Sequence, residues 1–403
     1  MNIEKILSTH PQWEAVQKIY HRLNSEGYKA FLAGGCVRDA LLGVPARDLD
    51  IATDAEPAIV ESLFQRTVGV GKVFGVIRVL DFGEDIEVAT FRTDGKYLDG
   101  RRPEGVHFSS PEEDAQRRDF TVNALFYDFS SQQIIDYVGG QADLSRKILK
   151  TVGRPEDRFR EDHLRILRAV RFIAQLDFTL ESETSKAVRA MAPSVQTVSA
   201  ERISEELLKL LGSQHVEKGL LALEQHDLMK VLFPFRINNV SWHPPREVTS
   251  EFELLTLFFE PCPMSELSER LKSLRLSIKA MRFVENSLRV LKNPEIFFEM
   301  SQGKQLEQLS TDGVTFALRC LIERTPHHEY GARAGALLQK FASWGSELPE
   351  RWVGGEDLKE EVQGRSLGAA LQDVYERQLE GKFQSSQEAL EWVRQKYVKG
   401  VSS

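Results

Sequence analysis

Two aspartates, Asp48 and Asp50, flank a leucine in the segment FLAGGCVRDALLGVPARDLDIAT, which runs from Phe31 to Thr53. In an extended chain successive side chains alternate between faces, so both acids point one way and Leu49 the other. Carboxylates held that close repel each other unless positive charge sits between them, and a divalent cation is the usual answer. A third acid, Glu87 in DIEVATFR, is in phase with Asp85 and Ala89 on a neighbouring strand signal. Taken alone, Glu87 is an ordinary strand charge.

The same stretch carries an anion-binding pattern. Gly34 and Gly35 fall at a strand-to-helix turn, where missing side chains let backbone N–H groups approach a phosphate at a helix N-terminus. Arg38 lies one turn into that helix. Further on, RRDFTVNAL supplies Arg118 for a triphosphate, with Asp119 and Asn123 as hydrogen-bonding partners for a ribose. A glycine pair alone marks only a turn, and RRDFTVNAL alone only a salt-bridged one. Joined to the aspartates they describe phosphoryl or nucleotidyl transfer, in which two Mg²⁺ ions activate a hydroxyl and stabilise departing pyrophosphate.

In REDHLRILRAVRF, at about 100° per residue, Ile166, Leu167, Val170 and Ile173 form an apolar face. Arg165 and Arg168 lie opposite, with Asp162 and Arg171 at the borders. One reading is an amphipathic helix with a solvated basic face. The other concerns bases: cytosine and adenine both offer an amino donor beside an unprotonated ring nitrogen, whereas guanine and uracil offer a carbonyl beside an N–H. A carboxylate from Asp162 and a guanidinium from Arg165 accept C and A alike. Each mispaired group costs roughly 1–3 kcal/mol, enough for strong discrimination when two fail together.

These residues need a scaffold. At 403 residues the chain exceeds a single compact core, so two or more domains are expected. The opening MNIEKILSTHPQW lacks the apolar stretch of a signal peptide and no segment approaches membrane-spanning length, which predicts a cytoplasmic protein. Three cysteines without CxxC spacing agree with reduced thiols. A net charge of −8 argues against nucleic acid, yet residues 144–175 hold nine basic and four acidic side chains, and local charge matters more than the sum.

Short β-branched runs (YKAFLAG, LDIAT, VFGVIRVL, DIEVATF) alternate with helical patterns near 11–25, 36–43 and 57–66 in the first 150 residues. Residues 93–112, rich in glycine, proline and charge, read as a mobile loop. Beyond about residue 155 the spacing is helical, interrupted by a linker at NNVSWHPPRE (238–247). The final helices are separated by Gly381, with Ser385 or Ser386 as N-cap. The pair His226-Asp227 has no matching upstream histidines for a phosphohydrolase, and Cys320 with His327 and His328 lacks four-ligand zinc spacing.

Together LAGGCVRD, RDLDIAT, IEVATFR, DGRRPEGVHF, RRDFTVNAL, DYVGGQADL, REDHLRILRAVRF and AERISEELLKLL resemble the bacterial tRNA nucleotidyltransferases, the CCA-adding enzymes, whose class includes bacterial poly(A) polymerases. The resemblance covers residues 28–211, and the last section looks like the family's helical tail. It implies an α+β fold: a polymerase-β-like nucleotidyltransferase head with a mixed sheet (1–150), then an elongated all-α neck (151–215), body (216–350) and tail (351–403). It implies that Asp48 and Asp50 bind the catalytic metals, and that Gly35, Arg38, Arg118, Asp162, Arg165, Arg168 and Arg171 bind CTP or ATP. Body and tail would hold the acceptor stem and T arm of tRNA, with no obligate protein partner. Poly(A) synthesis, partial CC or A addition, and a non-catalytic RNA-binding protein on a retired head are the rivals. DGRRPEGVHF, which resembles an intact version of the family's loop motif, and the lack of basic extensions favour full CCA addition.

Overall fold

The computed structural model describes residues 3–95, 105–239 and 241–398. The chain forms two units, Met1–Val240 and Ser241–Ser403. Their boundary falls inside the expected linker.

Residues 30–136 of the first unit carry nine short strands: β1 Ala30–Ala33, β2 Ile51–Thr53, β3 Thr67–Gly71, β4 Val76–Val79, β5 Ile86–Thr90, β6 Arg92–Asp94, β7 Val106–Phe108, β8 Leu125–Asp128 and β9 Gln133–Asp136. Seven of them make one sheet in the order β3-β4-β5-β2-β1-β8-β9. Only β2 and β5 run parallel; the other neighbours are antiparallel, so the sheet is mixed as expected. Its register positions the acids. Ile51 lies opposite Val88, and one residue earlier on each strand come Asp50 and Glu87. The centre of the sheet packs on small and aromatic side chains, Ala33, Ala52, Phe91, Ala124 and Phe126.

Helices Trp13–Ser25, Gly35–Leu41 and Pro57–Leu63 match the expected patterns to within a few residues. Strands β3, β8 and β9 fall outside the runs expected to be strands. The segment 93–112, expected to be one loop, is not: β6 and β7 pair across it with Arg92 opposite Phe108, and a capping box at Ser110 opens the helix Pro111–Gln116. The remainder of that loop, 96–104, lies outside the described residues.

REDHLRILRAVRF is not one helix. Pro155–Glu161 ends at Asp162, which is extended (φ −145°, ψ 106°), and Leu164–Leu176 begins after it. That second helix packs against both Ala200–Leu211 and Val216–Gln225, so residues 216–240 sit with the first unit.

The second unit is helical in its described residues, from Glu251–Phe259 to Ser386–Tyr397. One core gathers Phe297, Leu306, Leu318, Leu337 and Leu379. Another gathers Val353, Leu358, Val374, Phe383 and Val393. Gly303 lets two helices touch: a Cβ there would lie 2.2 Å from the carbonyl oxygen of Glu376. Gly381 ends Arg365–Glu380 with φ +79°, and Ser385 caps the next helix through the Glu388 amide. No described helix is long and apolar enough to cross a membrane.

Candidate active site

The first unit contains a cavity of about 550 Å³ between the sheet and the helix Leu164–Leu176. Its lining holds Asp50 and Glu87 on the sheet side and seven arginines, against two further acids, Asp119 and Asp162. Such a surplus of guanidinium groups suits a polyphosphate better than a neutral metabolite.

The carboxylate side is set by packing beneath it. Leu49 is 1% exposed, anchoring the segment between Asp48 and Asp50. Gln12 fixes this segment twice: its Oε1 accepts from the Leu49 amide (3.1 Å) and its Nε2 donates to the Asp85 carbonyl (3.0 Å). The Asp50 carbonyl accepts from the Ala33 amide at 3.1 Å. Asp50 is the inner acid. Burial, then the negative charge of Glu87 and of Asp48, push its carboxyl up to about 6 despite the opposing Arg118. Asp48 is outside the cavity lining, with a side chain 71% exposed. A buried acid destabilised by two neighbouring acids is a site short of a cation, so the donor set fits a divalent metal. Among the described residues no three acid, histidine or cysteine groups converge tightly enough to hold an ion unaided.

The glycine turn works differently from expectation. Gly34 adopts φ +79°, ψ −127°, and its amide is used on the Leu125 carbonyl (2.9 Å). Its missing side chain makes room for a cation: a Cβ there would lie 2.9 Å from Arg118 Nη1. Gly35 begins the helix that carries Arg38. Arg38 is buried, ion-paired with Asp39 (2.7 Å) and hydrogen-bonded to the Asn123 side chain.

Asp119 and Asn123 are knitted into the same network. Asp119 accepts from Arg168 Nε (2.8 Å), from Asn123 Nδ2 (3.1 Å) and from the Phe120 amide (2.8 Å). Burial alone would raise its carboxyl, but Arg168, the Asn123 hydrogen bond and Arg165 outweigh it and bring it down to about 2. Arg118 is held by Asp114 (2.9 Å) and by the Asn123 carbonyl (3.2 Å). These groups therefore hold arginines in place, a role that RRDFTVNAL does not advertise.

The solvated-face reading of REDHLRILRAVRF fails. Arg165 and Arg171 are buried at 9% and 8% exposure, and Arg168 is half-buried, all three lining the cavity. Ile166, Leu167, Val170 and Ile173 are buried on the opposite face as expected. Asp162 and Arg165 both reach the cavity, but each has its own partner. Asp162 is gripped by Arg202, and Arg165 pairs with Glu161 while donating to the Arg158 and Arg117 carbonyls. Arg171 pairs with Glu206 at 2.5 Å. Arg202 and Glu206 were missed by the sequence reading. They lie on one face of AERISEELLKLL, four residues apart, where spacing alone could have flagged them.

The weak candidates prove structural. His226 is buried, with Nδ1 at the Ala222 carbonyl (2.7 Å) and Nε2 at Ser185 Oγ (2.9 Å). Cys320 is buried, and burial pushes its thiol up to about 12.

Comparison with known proteins agrees with this layout. A family profile described as "Poly A polymerase head domain" matches residues 30–150, and one described as "Probable RNA and SrmB- binding site of polymerase A" matches 177–237. The CCA-adding enzyme of Enterococcus faecalis is 33% identical over 399 residues, covering 95% of this chain and 96% of that protein. The crystal structure of the Bacillus stearothermophilus CCA-adding enzyme in complex with CTP superposes with a TM-score of 0.82 at 31% identity, covering 96% of this chain and 98% of that one. A Thermotoga maritima CCA-adding enzyme complexed with tRNA shares the fold (TM-score 0.67, 21% identity, 98% of both chains). Likeness at this level over nearly the whole length places the chain in the CCA-adding enzyme family.

Proposed function

We propose that this protein adds C, C and A, in that order, to the 3′ end of tRNA from CTP and ATP, releasing pyrophosphate and using no nucleic-acid template. The single observation that carries the reading is the cavity itself, with Asp50 and Glu87 on the sheet side and Arg165, Arg168 and Arg171 on the helix Leu164–Leu176. Asp48 and Asp50, with Glu87 beside them, are the residues that would hold two Mg²⁺ ions. When bound, the metal supplies charge neutralisation on the triphosphate and a more acidic attacking hydroxyl.

The chain's own groups bind and orient. Arg38, Arg118, Arg168 and Arg171 are pre-positioned by carboxylates, so they meet the triphosphate without reorganising. They compensate charge as the bond between the α-phosphorus and the departing pyrophosphate breaks and the tRNA 3′-oxygen closes in line. Asp162 and Arg165 face the base. An amino group on C or A donates to the Asp162 carboxylate, and the adjacent ring nitrogen accepts from Arg165. Asp119 and Asn123 reach the ribose side only through the arginine network.

By this reading 1–150 is the catalytic head, 151–215 the neck that reads the base, and 216–350 and 351–403 the tRNA-binding body and tail, the first part of that body, 216–240, belonging to the first unit, in a cytoplasmic protein. One surface supports RNA binding by the second unit. Lys279, Arg282 and Arg289 are exposed at i, i+3 and i+10 on the helix Ile278–Lys292, within one side of the helix. None of the three has an ion-pair partner among the described residues. Unpaired cations in a stripe match a phosphate backbone.

The test is incorporation of radiolabelled nucleotides into tRNA lacking CCA, each NTP supplied singly and together. Addition that stops at three residues is expected. A long homopolymer from ATP alone on an oligo(A) primer would replace the reading with poly(A) synthesis, and no incorporation at all would leave an RNA-binding protein.

A further inference from the structure

Phe172 lies in the wall of the cavity, 4% exposed, on the helix Leu164–Leu176. Three guanidinium carbons gather round its ring, Arg171 at 3.9 Å, Arg38 at 5.2 Å and Arg168 at 5.4 Å from the centroid. They come from two separate elements, Arg38 from Gly35–Leu41 and the others from the same helix as the ring. Each is also tied to its own carboxylate: Arg38 to Asp39 (2.7 Å), Arg168 to Asp119 (2.7 Å) and Arg171 to Glu206 (2.5 Å).

Three cations this close, in a largely buried wall, repel one another. The carboxylates compensate their charge individually, but they belong to three different segments and set no common spacing. The ring does, because all three cations share it, and an aromatic ring attracts cations through its quadrupole within about 6 Å. Packing also matters, since Phe120 meets the ring edge-on at 5.7 Å. Packing alone, however, asks only for an apolar group of suitable volume.

We propose that Phe172 is a positioning residue, whose ring holds Arg38, Arg168 and Arg171 at a fixed mutual spacing so that they receive the triphosphate as one preformed unit. This rests on the nucleotide-binding reading of the cavity and adds a residue that acts on the triphosphate through the three arginines. An aliphatic side chain of similar volume fills the space but has no quadrupole. Without it the guanidiniums relax apart towards their separate carboxylates.

The experiment uses the full chain as Phe172→Leu and Phe172→Tyr, with melting temperature as a check on folding. Steady-state addition to tRNA lacking CCA gives KM and kcat for CTP and ATP, and titration with tripolyphosphate and with cytidine gives binding without turnover. For Phe172→Leu, KM for both nucleotides and Kd for tripolyphosphate should rise together by about tenfold, with kcat within about twofold and cytidine binding unchanged. Phe172→Tyr, which keeps the ring, should stay within about twofold of wild type on every measure. If Phe172→Leu does not accumulate folded, Phe172→Met is read the same way. Wild-type KM and tripolyphosphate affinity in a folded Leu variant would overturn the proposal. So would a Tyr variant as defective as Leu, or a loss of cytidine binding equal to that of tripolyphosphate. Absence of incorporation by the wild type defeats the CCA-addition reading instead, since the tripolyphosphate measurement needs neither acceptor nor turnover.

Discussion

Arg202 grips Asp162 with both ends of its guanidinium, Nη2 at 2.6 Å from Oδ2 and Nη1 at 3.1 Å from Oδ1, joining the break between two helices to a third. The carboxylate also accepts from the Leu164 amide at 3.0 Å, so its direction is fixed before any base arrives. Arg202→Gln should leave Asp162 free to turn. Each failed base-edge contact is worth roughly 1–3 kcal/mol, so the preference for CTP and ATP over UTP and GTP should fall about tenfold or more. Single-nucleotide incorporation by the variant measures this directly. Unchanged discrimination would show that Asp162 needs no such anchor.

Asp50 is strained electrostatically in the metal-free protein. Its carboxyl is raised to about 6 by burial and by Glu87 and Asp48, so the charged form at neutral pH is disfavoured in the fold. Asp50→Asn should therefore raise the stability of metal-free protein at pH 7.5, on the order of 2 kcal/mol, while abolishing nucleotide addition. Asp48→Ala with Asp50→Ala should likewise abolish addition and leave tRNA affinity within a few-fold. Chemical denaturation with and without Mg²⁺ reads the first effect; wild type should gain more from the ion than Asp50→Asn.

Asp119 behaves in the opposite sense. Its carboxyl is near 2 in the fold, below the unfolded value, so the stability it contributes is fully present above about pH 4. That contribution is lost as pH falls through 4 towards 2. Asp119→Asn should destabilise the protein at neutral pH by about 2 kcal/mol, because Arg168 loses its buried partner. The deficit should shrink as wild type and variant are compared at progressively lower pH. A constant difference down to pH 3 would deny the ion pair this role.

Gly34 sits where a side chain is excluded twice, by φ +79° and by Arg118 Nη1 at 2.9 Å from the would-be Cβ. Gly34→Ala should cost roughly 1–3 kcal/mol in stability and raise KM for both nucleotides more than it lowers kcat, since Arg118 must move. Thermal melting and steady-state kinetics together check this.

The stripe of Lys279, Arg282 and Arg289 makes a salt-dependence prediction. Replacing all three with alanine should lower the slope of log affinity for tRNA against log salt by about 2–3. Incorporation at saturating tRNA should be unchanged. An unaltered slope would assign the stripe to solvent.

Some of this was fully determined along the chain. The Asp48–Leu49–Asp50 pattern marked the acid pair, and Asp48 does lie close enough to raise the Asp50 carboxyl, although only Asp50 lines the cavity. Strands β1, β2, β4 and β5 and the helices around them were legible because their apolar periods are local properties. The breaks were legible too where φ decided them, as at Gly381. Strand β3, TVGVG, was missed because its glycines weaken a strand signal, and β8 and β9 because their pairing partners are distant in sequence.

Only the tertiary structure decided which charges meet. REDHLRILRAVRF has the same composition as a solvated basic helix, and what separates the two readings is the wall it faces. Burial there is tolerated because Asp119 and Glu206, distant in sequence, meet Arg168 and Arg171, while Arg165 takes the locally spaced Glu161 four residues before it. Hydrophobic period is written locally, residue by residue. Charge pairing across a cavity depends on which distant segments the fold brings within a few ångströms, and no spacing along the chain encodes that.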